Sequence, residues 1–177
     1  YNLKDKYFFT FTARADGSSK FGKANKWAFF PSAAAAWRLS KEDFLSNSDV
    51  ISNLKLRASY GQTGNSSIPA YSSEAQLGPG SLLGGSNIPG YTAGFGSASA
   101  GGTGLLTLEN TGLRWEIMTQ FDIGLELGLL NDRLNIEMDY YNRETTDMLL
   151  NAPVPESTGF SVIRQNIGSM VNKGFEL

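Results

Sequence analysis

Residues 116–140 read EIMTQFDIGLELGLLNDRLNIEMDY, with apolar side chains recurring at every second position. Ile117, Phe121, Ile123, Leu125, Leu127 and Leu129 fall on one parity; Glu116, Gln120, Asp122 and Glu126 fall on the other. After the tight Leu-Asn-Asp-Arg sequence at 130–133 the pattern restarts. Leu134, Ile136, Met138 and Tyr140 then alternate with Asn135, Glu137, Asp139 and Arg143. Successive side chains of a strand point to opposite faces, so a period of two builds one apolar and one polar face. Two such runs joined by a short turn predict an antiparallel hairpin that is wet on one side only.

The same pattern extends outward in both directions. Upstream, Tyr7, Phe9, Phe11, Ala13 and Ala15 alternate with Thr10, Thr12, Arg14 and Asp16. A second run over Trp27 to Ser40 sets Trp27, Phe29, Ala33, Ala35, Trp37 and Leu39 against Ser32, Arg38 and Ser40. In a third, Leu54, Leu56, Ala58 and Tyr60 oppose Lys55, Arg57, Ser59 and Thr63. Downstream, a sixth run starts near Gln165 and reaches Leu177. Within the central part of each run, every charge sits on the polar parity; Phe8, Phe30, Met118 and Tyr141 are the apolar exceptions there.

Composition narrows the function classes. The 177 residues carry 15 basic and 17 acidic side chains, with no basic stripe that would suit nucleic acid. Cys and His are both absent from the sequence, so thiol nucleophiles, thiolate or imidazole metal ligands and the commonest general base are unavailable to it. No cofactor is expected, and an enzyme reading rests on carboxylate pairs alone. Glu137 and Asp139 share a face, but no glycosidase signature accompanies them. No apolar run of 18 residues predicts a spanning helix; a spanning barrel hides its lipid contacts at every second position and escapes that test. The sequence starts at Tyr1 and stops at Leu177 within an alternating run, and both ends read as cuts in a longer polypeptide.

Three features turn the alternation into an expectation of a membrane wall. The runs are about ten to fourteen residues long, beyond the usual five or six of soluble strands and suited to a tilted span. Trp27 and Trp37 share a parity ten residues apart. At ~3.3 Å per residue and a tilt of ~40°, they lie about 25 Å apart along the normal, near the height of a lipid-facing band. With Tyr60 and Tyr140 they are the expected membrane girdle. Connections also alternate: 130–133 is tight, whereas 64–114 is a long link expected outside the cell, a length unusual inside a compact soluble domain. Its Gly/Ser-rich part, Gly78 to Gly104, reads as a flexible excursion and lacks the Gly-Lys-Ser/Thr of a phosphate loop. Ser40-Lys41-Glu42-Asp43 resembles a capping box over a helical turn carrying Phe44 and Leu45.

The predicted fold is therefore all-β, an antiparallel transmembrane β-barrel segment of about six strands. Six strands enclose no wide lumen, so most of the wall would lie outside this chain. On its polar face Arg14, Arg38, Arg57 and Asp122 are the candidates for lumenal contact with a polar solute, with structural pairing or plug contact the preferred reading of each.

Four blocks carry a family resemblance: RADGSSKFGKANKWAFFPSAAAAWRLSKEDFL (14–45), LKLRASYGQTGN (54–65), LRWEIMTQFDIGLELGLLNDRLNIEMDYYNRETTDMLL (113–150) and NIGSMVNKGFEL (166–177). In order and spacing they resemble the late barrel of SusC/RagA-type TonB-dependent outer-membrane transporters, and they cover most of the chain. The resemblance implies a barrel of about 22 strands filled by a plug, in the outer membrane of Bacteroidetes-type bacteria. It implies import of oligosaccharides or peptides driven through TonB, which engages a region outside this chain. It also implies a SusD-like surface lipoprotein as partner. Asp16-Gly17-Ser18-Ser19 matches a family turn, Phe30-Pro31-Ser32 the start of the next strand, and Trp37-Arg38 the approach to a periplasmic turn. Asn166, Gly168, Asn172, Gly174 and Glu176 match the last strand. Two other readings stay open at this stage: a SusC-like barrel acting as a structural subunit, and a soluble β-rich adhesin or carbohydrate-binding module.

Overall fold

Each alternating run becomes a strand. The computed structural model describes residues 1–48, 50–79 and 103–177. The strands are β1 (Asn2–Leu3), β2 (Tyr7–Gly17), β3 (Trp27–Arg38), β4 (Ile51–Asn65), β5 (Leu77–Pro79) and β6 (Thr103–Leu105). They continue with β7 (Glu116–Leu129), β8 (Leu134–Thr146), β9 (Leu149–Pro153), β10 (Val162–Asn166) and β11 (Ser169–Glu176). Seven of them form one sheet in the order β1-β2-β3-β4-β7-β8-β11, each antiparallel to its neighbour; β9 pairs β10 and β5 pairs β6 as separate ribbons.

Register carries the alternation across the sheet. Phe9, Ala35, Ala58, Ile123, Tyr140 and Phe175 lie opposite one another in a single row. The adjacent row, on the other face, is Thr10, Ala34, Ser59, Asp122, Tyr141 and Gly174. A slip by one residue in any pair would exchange the faces, so the pattern specifies the register strongly.

The sheet is a single layer. Among the described residues the buried apolar side chains are Phe21, Phe30, Ile68, Leu113, Trp115 and Ala152. Apart from Phe30 in β3, none belongs to a strand of the seven-stranded sheet. Large side chains of the apolar face stay open, with Phe11 78%, Phe29 63% and Trp27 73% exposed. An apolar face of this extent demands a covering phase.

The core sits instead beyond one end of the wall. The connections at 18–26, 66–115 and 147–168 leave from that end, and the short ones at 4–6, 39–50 and 130–133 from the other. Phe21, Phe30, Ile68, Leu113 and Trp115 gather there, with Phe21 and Phe30 rings 5.4 and 5.6 Å from the Trp115 ring. The β3–β4 ladder stops at Ser32↔Gly61, beside Pro31, which has no N–H to extend it. Beyond that point the ring of Phe30 lies against Gly64, where an added Cβ would fall 2.0 Å from its Cζ. This explains an apolar residue on the polar parity: Phe30 belongs to the cap, not to the wall.

Four sequence expectations need adjustment. Asp16 and Gly17 remain in β2, paired with Ala28 and Trp27, so the turn begins at Ser18. β3 ends at Arg38, and Leu39–Lys41 forms a short 3-10 turn. That turn has Arg38 at its N-cap with no side-chain cap, so Ser40 closes no capping box. The sixth run divides at Ile167-Gly168 into β10 and β11, because Gly168 adopts a left-handed backbone (φ 82°). Most of the Gly/Ser-rich excursion, 80–102, lies outside the described residues; its flanks pair as β5 and β6.

Candidate functional site

The polar face is organised around Arg57 in the middle of β4. Its row places Gly124 of β7 next to it and Asp139 of β8 one strand further on. Because Gly124 has no side chain, the guanidinium crosses β7 and reaches Asp139, with Nη2 2.6 Å from Oδ2 and Nε 3.3 Å from Oδ1. A Cβ at position 124 would stand 2.3 Å from both Arg57 Nε and Asp139 Oδ1. Arg57 also donates to Glu137 (2.5 Å) and Glu126 (3.3 Å), and Lys55 Nζ donates to Glu126 (3.1 Å). Two cations thus hold three carboxylates. Glu137 and Asp139, which share a face, serve one guanidinium and do not flank a cleft as acid and base would.

Asp122 is held differently. Its carboxylate accepts from Ser59 Oγ (3.1 Å) and Gln120 Nε2 (2.8 Å), and Gln120 Oε1 accepts from Arg143 Nε (3.0 Å). The amide of Gln120 stands between anion and cation and bonds to each. Toward the long-connection end, Arg14 pairs with Asp16 at 2.9 Å and lies 5.7 Å over the Phe30 ring. At the opposite end, Arg38 lies 5.3 Å over Phe8, with its Nε buried and without a hydrogen-bond partner. The four lumenal candidates therefore do not converge on one point, although Asp122 shares a trough with Arg57 and another with Arg14. Arg57 and Asp122 border one open trough of ≈ 680 Å³, floored by Ala34, Ala36, Ser59 and their neighbours. Arg14 borders an adjoining trough of ≈ 600 Å³ toward the long-connection end, which Asp122 also lines; Arg38 stands apart at the opposite end of the wall. Among the described residues no acidic group is arranged to hold a metal ion.

The opposite face carries the aromatic side chains singled out from sequence. Trp37 stacks on Tyr7 with centroids 6.2 Å apart and planes 19° apart. Trp27, at the other end of β3, lies against Gly17, where a Cβ would meet its ring at 3.0 Å. Tyr60 is exposed, and Tyr140 packs on Phe175 at 4.9 Å.

Sequence reading missed Glu42. From the 39–50 connection its carboxylate accepts hydrogen bonds from Tyr7 Oη (2.7 Å), Lys6 Nζ (2.9 Å) and Trp37 Nε1 (3.0 Å). These donors, Tyr7 foremost, hold its pKa down to about 2, and Lys6 is raised in turn by its bond to Glu42. The sequence signal was an acidic residue close to Trp37, inside a segment whose capping-box acid is its neighbour Asp43. Gly124 was missed as well; a glycine on the polar parity beside an Arg and an Asp is legible only once the register is known.

A family model described as TonB dependent receptor-like, beta-barrel, matches residues 1–177. The chain is 45% identical over 176 residues to TonB-dependent receptor P3 of Formosa agariphila, covering 99% of this chain and 16% of that protein. It is 37% identical over 186 residues to TonB-dependent receptor SusC of Bacteroides thetaiotaomicron, covering 99% of this chain and 17% of that protein. Among solved structures, the RagAB peptide transporter superposes with a TM-score of 0.81 at 35% identity, over 98% of this chain and 18% of that one. The chain spans less than a fifth of the length of these relatives. The single-layer antiparallel wall, unclosed over this length, and the match along its whole extent place the chain in the TonB-dependent receptor β-barrel family.

Proposed function

We propose that this chain is a section of the wall of an outer-membrane importer, with the apolar face toward lipid and the Arg57 face toward the lumen. The observation that carries the reading is the single-layer sheet: a row of apolar side chains runs across one face with no second layer among the described residues to cover it, while the other face holds a connected network of charges. Lipid covers such a face, and a watery lumen solvates the other. A soluble adhesin or carbohydrate-binding module would need a second layer over the same residues.

In this orientation the ends of the wall acquire sides. The connections at 18–26, 66–115 and 147–168 face outward from the cell, and the short ones face the periplasm. Trp27 and Trp37 mark the two interfaces, with Tyr60 and Tyr140 among the lipid-facing aromatics. The cargo is a polar oligomer, an oligosaccharide or a peptide: the likeness to the RagAB peptide transporter supports the peptide, and the family resemblance of the four sequence blocks extends the range to oligosaccharides. The same likeness supports a SusD-like lipoprotein over the outer mouth and TonB acting through a region outside this chain. The mechanism is vectorial, without bond chemistry: solute crosses a lumen whose wall offers weak, distributed polar contacts. Since Arg57 is already committed to three carboxylates, it maintains the wall, and Asp122 with Arg143 is the better-placed pair for solute.

The test is made on the full-length native polypeptide in washed outer membranes, run on a gel with and without boiling, followed by uptake of labelled oligosaccharides and peptides by cells. A band that shifts on heating, with uptake lost on deletion, is the expected result. A heat-insensitive soluble species would sink the membrane reading. A heat-modifiable barrel whose deletion leaves all uptake unchanged would favour a structural subunit.

A further inference from the structure

The strands β8 and β11 do not end where the wall ends. Their ladder stops at Thr146↔Ser169 and resumes, in unchanged register, at Leu149↔Asn166 as the separate β9–β10 ribbon. Between them Asp147-Met148 faces Ile167-Gly168, joined by one main-chain bond from Ile167 N–H to Met148 C=O (2.9 Å). Each limb carries a left-handed residue at this break, Asp147 (φ 55°) and Gly168 (φ 82°). For Gly168 that conformation is free and the space around it is empty; for Asp147 it is held against a steric preference. Two such residues face each other where the ladder is interrupted.

Leu149 packs against the rim cluster of Phe21, Phe30, Ile68, Leu113 and Trp115; the side-chain hydrogen bonds and the ion pair between this ribbon and the rest of the described residues all involve one short segment, 110–116. Arg114 grips the Asp147 carboxylate with two bonds, Nη2 at 2.6 Å and Nε at 3.1 Å. The Asn166 amide donates to the carbonyls of Arg114 and Asp147, both at 2.8 Å, and its oxygen accepts from Arg114 N–H at 2.9 Å. Glu116 accepts from Leu149 N–H (3.1 Å), and Asn110 Nδ2 donates to the Arg164 carbonyl (2.8 Å). The segment 110–116 is also the returning limb of the long connection, anchored in the rim cluster through Leu113 and Trp115.

We propose that β9–β10 is an articulated arm, hinged at Asp147 and Gly168, whose angle to the wall is set by a latch from Arg114 and Asn166. A displacement of the long connection at its root then moves the arm, and a contact made on the arm is felt at that root. The two outer segments form one coupled device although they share no strand pairing. The coupling stands on these contacts and does not depend on what, if anything, the barrel imports.

Hydrogen exchange read by mass spectrometry on the full-length protein in detergent micelles tests this, with heat-shifted migration confirming an intact barrel in every variant. Arg114→Gln, and Asp147→Asn as the milder substitution that keeps the left-handed residue polar, should each speed exchange at the hinge amides Leu149 and Ile167 by at least about tenfold. Amides of the β9–β10 ladder at 150–152 and 162–165 should keep their protection, because a swinging arm stays paired. Ladder and hinge losing protection together would mean local unfolding and overturn the arm. Unchanged exchange at the hinge in Asp147→Asn, with the barrel intact, would overturn the latch.

Discussion

Gly124 does its work by leaving space. The Arg57 guanidinium passes over it to Asp139, so Gly124→Ala should push the guanidinium aside and leave Asp139 and Glu137 facing each other with a weakened counter-charge. Charge-assisted hydrogen bonds are worth ~1.5–3 kcal/mol, and with Arg57 38% exposed the loss should fall toward the lower end, about 1–2 kcal/mol. A lowered urea midpoint of the full barrel in detergent is the check; an unchanged midpoint would mean the cluster contributes nothing. Glu42 makes the complementary prediction. Its folded-state pKa of about 2 lies below its ordinary value of 4.5, so its contribution is fully present above about 4.5 and is lost as pH falls toward 2. Glu42→Gln should remove that pH dependence: wild type and variant unfolding midpoints should differ at pH 6 and converge near pH 2. A constant difference across this range would show that the carboxylate charge is not what matters.

At the scale of elements, the wall and its cap obey different physics. A wall strand has one face for lipid and one for water, and its stability comes from the ladder and the phase around it. The cap has a small water-excluding core. Trp115→Ala should cost the cap about 3–5 kcal/mol in lost packing, as large-to-small changes in cores do. Because Trp115 lies just outside β7 and its indole donates to the Lys26 carbonyl, the damage should stay in the connections. Limited proteolysis should cut faster within 66–115 and 18–26 while the boiled and unboiled bands still differ. Loss of the heat shift itself would mean that the cap is needed for the wall to assemble. The long connection is thus a built element at its root: Leu106 N–H bonds Gln76 C=O (2.7 Å) and Asn110 N–H bonds Ser73 C=O (3.3 Å), tying its outgoing and returning limbs together.

On the scale of the whole molecule, the chain has too few strands to hide its own surfaces. It presents a broad apolar face and unpaired edges at β1 and β11, features that drive association in water. Expressed alone, residues 1–177 should sediment as aggregate from aqueous buffer, and refolding into detergent should raise the soluble fraction severalfold by covering the apolar face. A monodisperse, water-soluble 19.2 kDa species would contradict the single-layer wall.

Much of this was open to reading from residues alone, because the parity of a side chain is a local property of an extended backbone. Ile123 and Asp122 take opposite faces whatever lies beside them, so the strands, their faces and the expectation of a barrel wall all follow from spacing. The partners of those residues do not follow. Arg57 meets Asp139, 82 positions away, only because register aligns both with Gly124. Glu42 reads locally as an interior position of the Ser40–Asp43 capping box, and only the approach of β2 to the 39–50 connection gives its carboxylate Tyr7 as a partner. The break at Ile167-Gly168 interrupts a run that alternation joins to Leu177, and it is held by Arg114 from a distant connection. Period and composition act between neighbours along the chain; register, convergence of connections and hinges arise between segments far apart in it, where no local pattern records them.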